Sequence, residues 1–154
     1  MRAIYSGSFD PITYGHMDVI ERASNIFSRV SILIPLASDK NSLITPLERQ
    51  HVIEEIYADN DRIDVIVFDG LLVDWMLENS ASIIVRGIRD SVDMASEWRM
   101  AHCNKVLHSE IETLFLASSP TVSHISSTLV KEIIACGGDL SKFIPDAVVR
   151  LLDK

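Results

Sequence analysis

Residues 2–35 read RAIYSGSFDPITYGHMDVIERASNIFSRVSILIP. Arg2-Ala3-Ile4-Tyr5 opens as a short β-rich run. Residues 6–16 are small, polar and turn-forming, with Gly7, Gly15 and an Asp10-Pro11 pair. Residues 16–27 place Val19, Ile20, Ala23, Ile26 and Phe27 at the i, i+3, i+4 spacing of a helix with one apolar face. Residues 30–35 are again apolar and β-branched. Strand, loop, helix and strand within one such stretch make a βαβ unit, whose two strands lie parallel.

The same alternation runs outward along the chain. Residues 63–68, 82–85 and 113–116 read as strands covered on both faces. Helical patterns occupy residues 47–57, 71–77, 91–106, 128–135 and 145–152. The first of these has a clear start, with Thr45 as N-cap, Pro46 at the first helical position and Glu48 closing a capping box. Gly137-Gly138 supplies the stop of the helix at 128–135. The expected fold is α/β: a Rossmann-like, doubly wound, five-stranded parallel sheet with helices on both faces and C-terminal helices. A single domain spanning residues 1–154 is expected from the length.

Composition narrows the function. Lys+Arg number 14 against 22 Asp+Glu, a net charge of −8, which argues against a general nucleic-acid binder. An anionic ligand then needs a local basic cluster. No apolar run reaches the ~18 residues of a membrane span. The N-terminus is too polar for a secretory signal, so a reduced cytoplasmic setting is expected. Cys103 and Cys136 form no CxxC pair and read as small buried hydrophobes. None of the five histidines has zinc-ligand spacing.

Ligands of open parallel sheets bind beyond the carboxyl ends of the strands, where strand order reverses. The segments that follow the five predicted strands are 6–16, 37–40, 69–72, 86–89 and 118–128. They hold nearly all the phosphate-competent groups and are expected on one rim. Ser6, Gly7 and Ser8 let backbone come close to a ligand. His16 stands at a helix start, poised to donate to a phosphate; a capping or core histidine is the alternative. Arg86 and Arg89 are planar forks suited to phosphate or to surface ion pairs. Lys40 is either a mobile phosphate-following ammonium or a solvated lysine. Residues 122–128 offer hydroxyls and free N–H groups at a second helix start, capped by Ser127 or Thr128. Neither GxxxxGK[ST] nor GxGxxG is present.

Gly7-Ser8-Phe9-Asp10-Pro11 followed by Thr13-Tyr14-Gly15-His16 resembles the signature of the nucleotidyltransferase superfamily. Arg86-Gly87-Ile88-Arg89, Asp93, Glu97, Ala101-His102-Cys103-Asn104, Ile125-Ser126-Ser127-Thr128 and Lys131-Glu132 narrow the resemblance to the phosphopantetheine adenylyltransferase family, over nearly the whole chain. That resemblance implies transfer of the adenylyl group of ATP to 4′-phosphopantetheine. The products are dephospho-coenzyme A and pyrophosphate, formed by in-line attack with no covalent enzyme intermediate, in the penultimate step of coenzyme A synthesis. It implies a catalytic set of His16, Lys40 and Arg86. ATP contacts would come from Ser8, Phe9, His16, Gly87, Ile88, Arg89, Glu97, Val122, Ser123, His124, Ile125, Ser126, Ser127 and Thr128. The acceptor would meet Ser8, Lys40, Leu72 and Arg86, with core packing as the alternative for Leu72.

The resemblance also implies Mg²⁺ carried by the ATP phosphates rather than by protein ligands. Coenzyme A as a feedback ligand and a homohexamer built as a dimer of trimers complete the family picture. The chain departs from the family at Met94-Ala95-Ser96, where Phe-Glu-Tyr is common. Thr128 stands for the usual Ser, Ser6 for Pro and Cys103 for Met. Two other readings stay open: an adenylyltransferase for another phosphate acceptor such as nicotinamide mononucleotide, and a non-catalytic sensor of nucleotide or coenzyme A.

Overall fold

The structure, a computed structural model, describes residues 1–37 and 41–153. The elements follow in the order β1 (Arg2–Ser6), α1 (Tyr14–Ile26), β2 (Arg29–Pro35), α2 (Pro46–Ile56), β3 (Ile63–Phe68) and α3 (Leu72–Glu78). Then come β4 (Ile83–Ile88), α4 (Ser91–Leu107), β5 (Glu112–Ala117), α5 (Ser127–Ala135) and α6 (Asp146–Leu152). The five strands form one sheet in the order β3-β2-β1-β4-β5, and every pairing is parallel. The expected α/β fold is therefore the observed one.

Side-chain alternation divides the core. Ala3 and Tyr5 of β1, with Val30, Ile32 and Ile34 of β2, face a large cluster completed by Val19, Ile20 and Ala23 of α1. Val52 and Ile53 of α2, Val130 of α5 and Val148 of α6 belong to the same cluster. Ile4 and Leu33 point to the opposite face, where Val73 and Met76 of α3 cover them. Both faces are thus sealed, as all-parallel sheets require.

Strand order reverses at β1. It pairs with β2 along its length, Arg2↔Arg29 through Ser6↔Leu33, but with β4 only at Ile4↔Ile84. Ladder pairing between β1 and β4 is confined to that position, and the crevice of the switch point lies beyond their carboxyl ends.

Three expectations need correction. β4 runs on through Arg86, Gly87 and Ile88, paired with Phe115, Leu116 and Ala117, so these residues lie in the strand and only Arg89 follows it. The charged Arg86 and the bare Gly87 interrupt the apolar run that marks a strand in sequence. The α5 N-cap is Ser126, not Ser127 or Thr128: its backbone is extended and its side chain accepts from the Leu129 amide. Cys103 and Cys136 are exposed rather than buried. Cys103 rides on α4, where Asn104 alone is buried, and Cys136 is the C-cap of α5.

Candidate active site

The crevice between β1 and β4 opens into a cleft of about 250 Å³. Its floor is Tyr5 of β1 and Arg86 and Gly87 of β4. One wall is the start of α1, with Thr13, Gly15, His16 and Val19; the other is Ile125 through Thr128 at the start of α5. Arg89, Asp93 and Glu97 close the far side, beside Ser118.

The motif residues Thr13-Tyr14-Gly15-His16 build the first wall in a way their order explains. Thr13 is the N-cap of α1 and His16 occupies the third helical position, where a capping box normally carries Glu or Gln. Thr13 Oγ1 accepts from the His16 amide at 3.4 Å, and the Thr13 amide donates to His16 Nδ1 at 3.1 Å. The Thr13 hydroxyl also lies 3.1 Å from Nδ1. With Nδ1 occupied as an acceptor, the neutral ring carries its proton on Nε2, its remaining donor. A Cβ on Gly15 would stand 3.1 Å from the Ile125 carbonyl and 3.5 Å from that of Val122. Glycine lets the starts of α1 and α5 approach each other.

Aromatic packing fixes the imidazole from behind. Phe9 meets it edge-on with ring centroids 5.1 Å apart, and Tyr5 meets Phe9 at 5.4 Å. Phe9 is buried and holds a left-handed backbone at φ 47°, which costs a bulky residue of order 1 kcal/mol or more. Burial, then the charges of Arg86 and Arg89, push the His16 pKa down to about 4. The ring is neutral at pH 7: a donor held without charge beside two cations.

Those cations are already partnered. Arg86 Nε and Nη2 donate to Glu97 Oε2 and Oε1 at 2.7 and 2.5 Å, and its Nη1 donates to the Ser6 carbonyl. Arg89 forks onto Asp93 at 2.6 and 2.9 Å. Burial opposes the charge on Arg86, yet Glu97 more than compensates and raises its pKa. Two arginines against two carboxylates leave this side of the cleft close to neutral. Among the described residues the helix starts add donors that no carboxylate offsets: the Ser127 and Thr128 amides have no protein acceptor there.

Gly87 sits where α1 crosses β4: a Cβ there would come within 2.7 Å of Val19 Cγ2. Ser119 ties the segment after β5 to α1, with its hydroxyl and amide 2.5 and 3.1 Å from the Asp18 carboxylate. Burial works against the charge on Asp18, but these bonds and Arg22 hold its pKa below the usual carboxylate value.

Of the expected site residues, His16, Arg86, Gly87, Arg89, Glu97, Ile125, Ser126, Ser127 and Thr128 meet in this one cleft. Ser8, Phe9, Ile88, Val122, Ser123 and His124 flank it without lining it. Leu72 packs at the start of α3 against the opposite core cluster. Lys40 lies outside the described residues. Tyr5 lines the cleft from a β-rich run in which nothing marks it out, and Ser118 opens the expected rim segment 118–128 without having been singled out in it.

Comparison with known proteins supplies the family. Residues 4–133 match the model of the cytidylyltransferase-like family. The chain is 44% identical to the phosphopantetheine adenylyltransferase of Caldanaerobacter subterraneus subsp. tengcongensis, across 99% of this chain and 96% of that protein. It is 42% identical to that of Geotalea daltonii, across 98% and 94%, and 41% identical to that of Geobacter sulfurreducens, across 97% and 92%. An all-parallel sheet with a cleft at its switch point and full-length similarity of this degree lead to one conclusion: the chain belongs to the phosphopantetheine adenylyltransferase family.

Proposed function

We propose that this chain, acting as one nucleotidyltransferase domain over residues 1–154, transfers the adenylyl group of ATP to 4′-phosphopantetheine. An oxygen of the acceptor phosphate attacks the α-phosphorus of ATP in line. The bond from that phosphorus to the α,β-bridging oxygen breaks, pyrophosphate leaves, and dephospho-coenzyme A results. No protein nucleophile takes part, so catalysis consists of positioning two anions and stabilising charge on the α-phosphate.

The observation that carries this reading is the neutral His16, held by its capping box beside Arg86 and opposite the free amides of α5. His16 Nε2–H donates to the α-phosphate as charge builds there. The Ser127 and Thr128 amides receive the β- and γ-phosphates, in a segment that Val122, Ser123, His124, Ile125 and Ser126 complete. Gly87, Ile88 and Arg89 meet the nucleotide with Ser8 and with the backbone of Phe9, whose ring is buried behind His16. Arg86 takes the acceptor phosphate with Ser8 and Lys40, and Leu72 meets the pantetheine arm. Glu97 meets the nucleotide from the far side of the cleft, and both its oxygens hold Arg86, so it also shapes the fork that the acceptor meets.

Mg²⁺ would accompany ATP. No group of three His, Cys, Asp or Glu among the described residues makes a metal cage, and Asp93 and Glu97 are both occupied by arginines. The protein side chains of the cleft do not fit a metal centre of their own, and phosphate oxygens are the suitable ligands.

The same reading extends to assembly and setting: a homohexamer, a dimer of trimers, in the cytoplasm, with coenzyme A as a feedback ligand. Trp98, Met100, Val106 and Leu107 of α4, with Leu114 of β5, form exposed apolar surface that supports contact with further copies of the chain. No helix among the described residues is long and apolar enough to cross a membrane.

Purified protein with ATP and Mg²⁺ is to be offered 4′-phosphopantetheine or nicotinamide mononucleotide, and pyrophosphate measured. Release with 4′-phosphopantetheine alone is expected. Release only with the mononucleotide, or binding with no release, would replace this reading by the other acceptor or by a sensor.

A further inference from the structure

The Asp10-Pro11 turn lies beneath the cleft and gathers contacts from separate parts of the chain. Asp10 is 4% exposed, and its carboxylate accepts the Leu43 amide at 3.0 Å on both oxygens and the Ile44 amide at 3.0 Å. Arg49, 2% exposed, stands 3.4 Å from the same carboxylate and donates to the carbonyls of Ile44 and Ser8 at 2.8 and 3.0 Å. The remaining donor to Asp10 comes from the far wall: Lys131 Nζ of α5, at 2.6 Å. One helical turn earlier on the same face of α5, Ser127 Oγ donates to the Pro11 carbonyl at 2.9 Å.

α5 is therefore fastened to the motif loop at two points, and the same loop runs on within a few residues to His16. Burial opposes ionisation of Asp10, but Lys131, the two amides and Arg49 outweigh it and keep the carboxyl charged well below neutral pH. The carboxylate half of the attachment is thus charged throughout the physiological range.

We infer that Lys131 is a positioning residue for the triphosphate: its ion pair with Asp10 sets the distance between the amides that start α5 and His16. This rests on the function proposed above, in which ATP spans both sites. A ligand that lacks the β- and γ-phosphates does not use that distance. Misplacement of about 1 Å between two groups that must engage one ligand together is enough for a tenfold loss or more.

Lys131→Met tests this without dismantling the turn, because Asp10 keeps Arg49 and both amides. The variant is expected to weaken ATP binding ~10-fold, to change dephospho-coenzyme A binding less than ~2-fold, and to raise KM for ATP but not for 4′-phosphopantetheine. Lys131→Arg is expected to restore ATP binding to within ~3-fold, since an arginine also reaches the carboxylate. Equal ATP affinity in wild type and Lys131→Met overturns the role, and so does a parallel loss of both ligands, the mark of a merely structural residue. A wild-type chain that binds no ATP overturns the proposed function and this role with it.

Discussion

The starts of α1 and α5 face each other across the cleft, and they use one device for two ends. Both carry a hydroxyl residue as N-cap, Thr13 and Ser126. In α1 the cap belongs to a reciprocal box whose third position is a histidine, so the helix start orients an imidazole. In α5 the cap is one-sided: Ser126 serves the Leu129 amide, and the two preceding amides stay open to the cleft. A helix start can thus yield either a fixed side-chain donor or a set of backbone donors. The residue at the third position decides which.

The largest effect is expected from removing the side-chain donor. His16→Ala is expected to bind ATP near-normally and turn over at least ~10²-fold more slowly, read from kcat and a separate binding titration. Near-wild-type turnover would take His16 out of the mechanism and leave the two helix starts equivalent.

The next effect concerns their spacing. Gly15→Ala puts a methyl 3.1 Å from the Ile125 carbonyl, a backbone atom that cannot rotate away. A stability loss of about 1–3 kcal/mol is expected by denaturant unfolding, with kcat/KM falling ~10-fold as the two walls part. Unchanged kcat/KM would show that the walls need no fixed separation.

The smallest effects sharpen the contrast most. Thr13→Val and Ser126→Ala each remove a cap hydroxyl, and each is expected to cost about 1 kcal/mol of stability. Their kinetics should differ. Thr13→Val is expected to lower kcat several-fold with KM for ATP little changed, and Ser126→Ala to raise KM for ATP with kcat little changed. Identical kinetic profiles would mean that the two starts do the same work.

Much of this was legible in the sequence, for reasons that also mark the limits. Short runs dominated by Ile, Val, Leu and Phe marked all five strands, and Thr45-Pro46 with Glu48 marked the start of α2 to the residue. The strand order was not legible, because it depends on which strands meet across the crossovers. Arg86 was read as following β4 because charge and glycine break an apolar run, although the backbone pairing with β5 continues. Cys103 was misread because an apolar neighbourhood on α4 faces outward. The motif residues around His16 were legible as a phosphate site, but the buried support was not. Asp10 beside Pro11 reads as a turn, and its partners stand 33 to 121 residues away. Arg49 did leave a signal: with Val52, Ile53 and Ile56 it occupies the i, i+3, i+4, i+7 stripe of α2, where a charge is out of place unless it is paired.

The Nε2–H tautomer of a neutral His16 is what makes this helix start an uncharged donor. Its folded pKa, about 4, lies below the ordinary value of 6.5. As pH falls below ~6.5 the unfolded chain takes up a proton that the folded ring refuses, so this histidine's share of stability declines between about pH 6.5 and 4. Nitrogen-15 NMR of histidine-labelled protein, titrated from pH 8 to pH 4, reads the ring directly. The expected spectrum shows His16 neutral down to about pH 5, with Nδ1 unprotonated and hydrogen on Nε2. A His16 that titrates near pH 6.5, or that carries its proton on Nδ1 at neutral pH, would contradict the account.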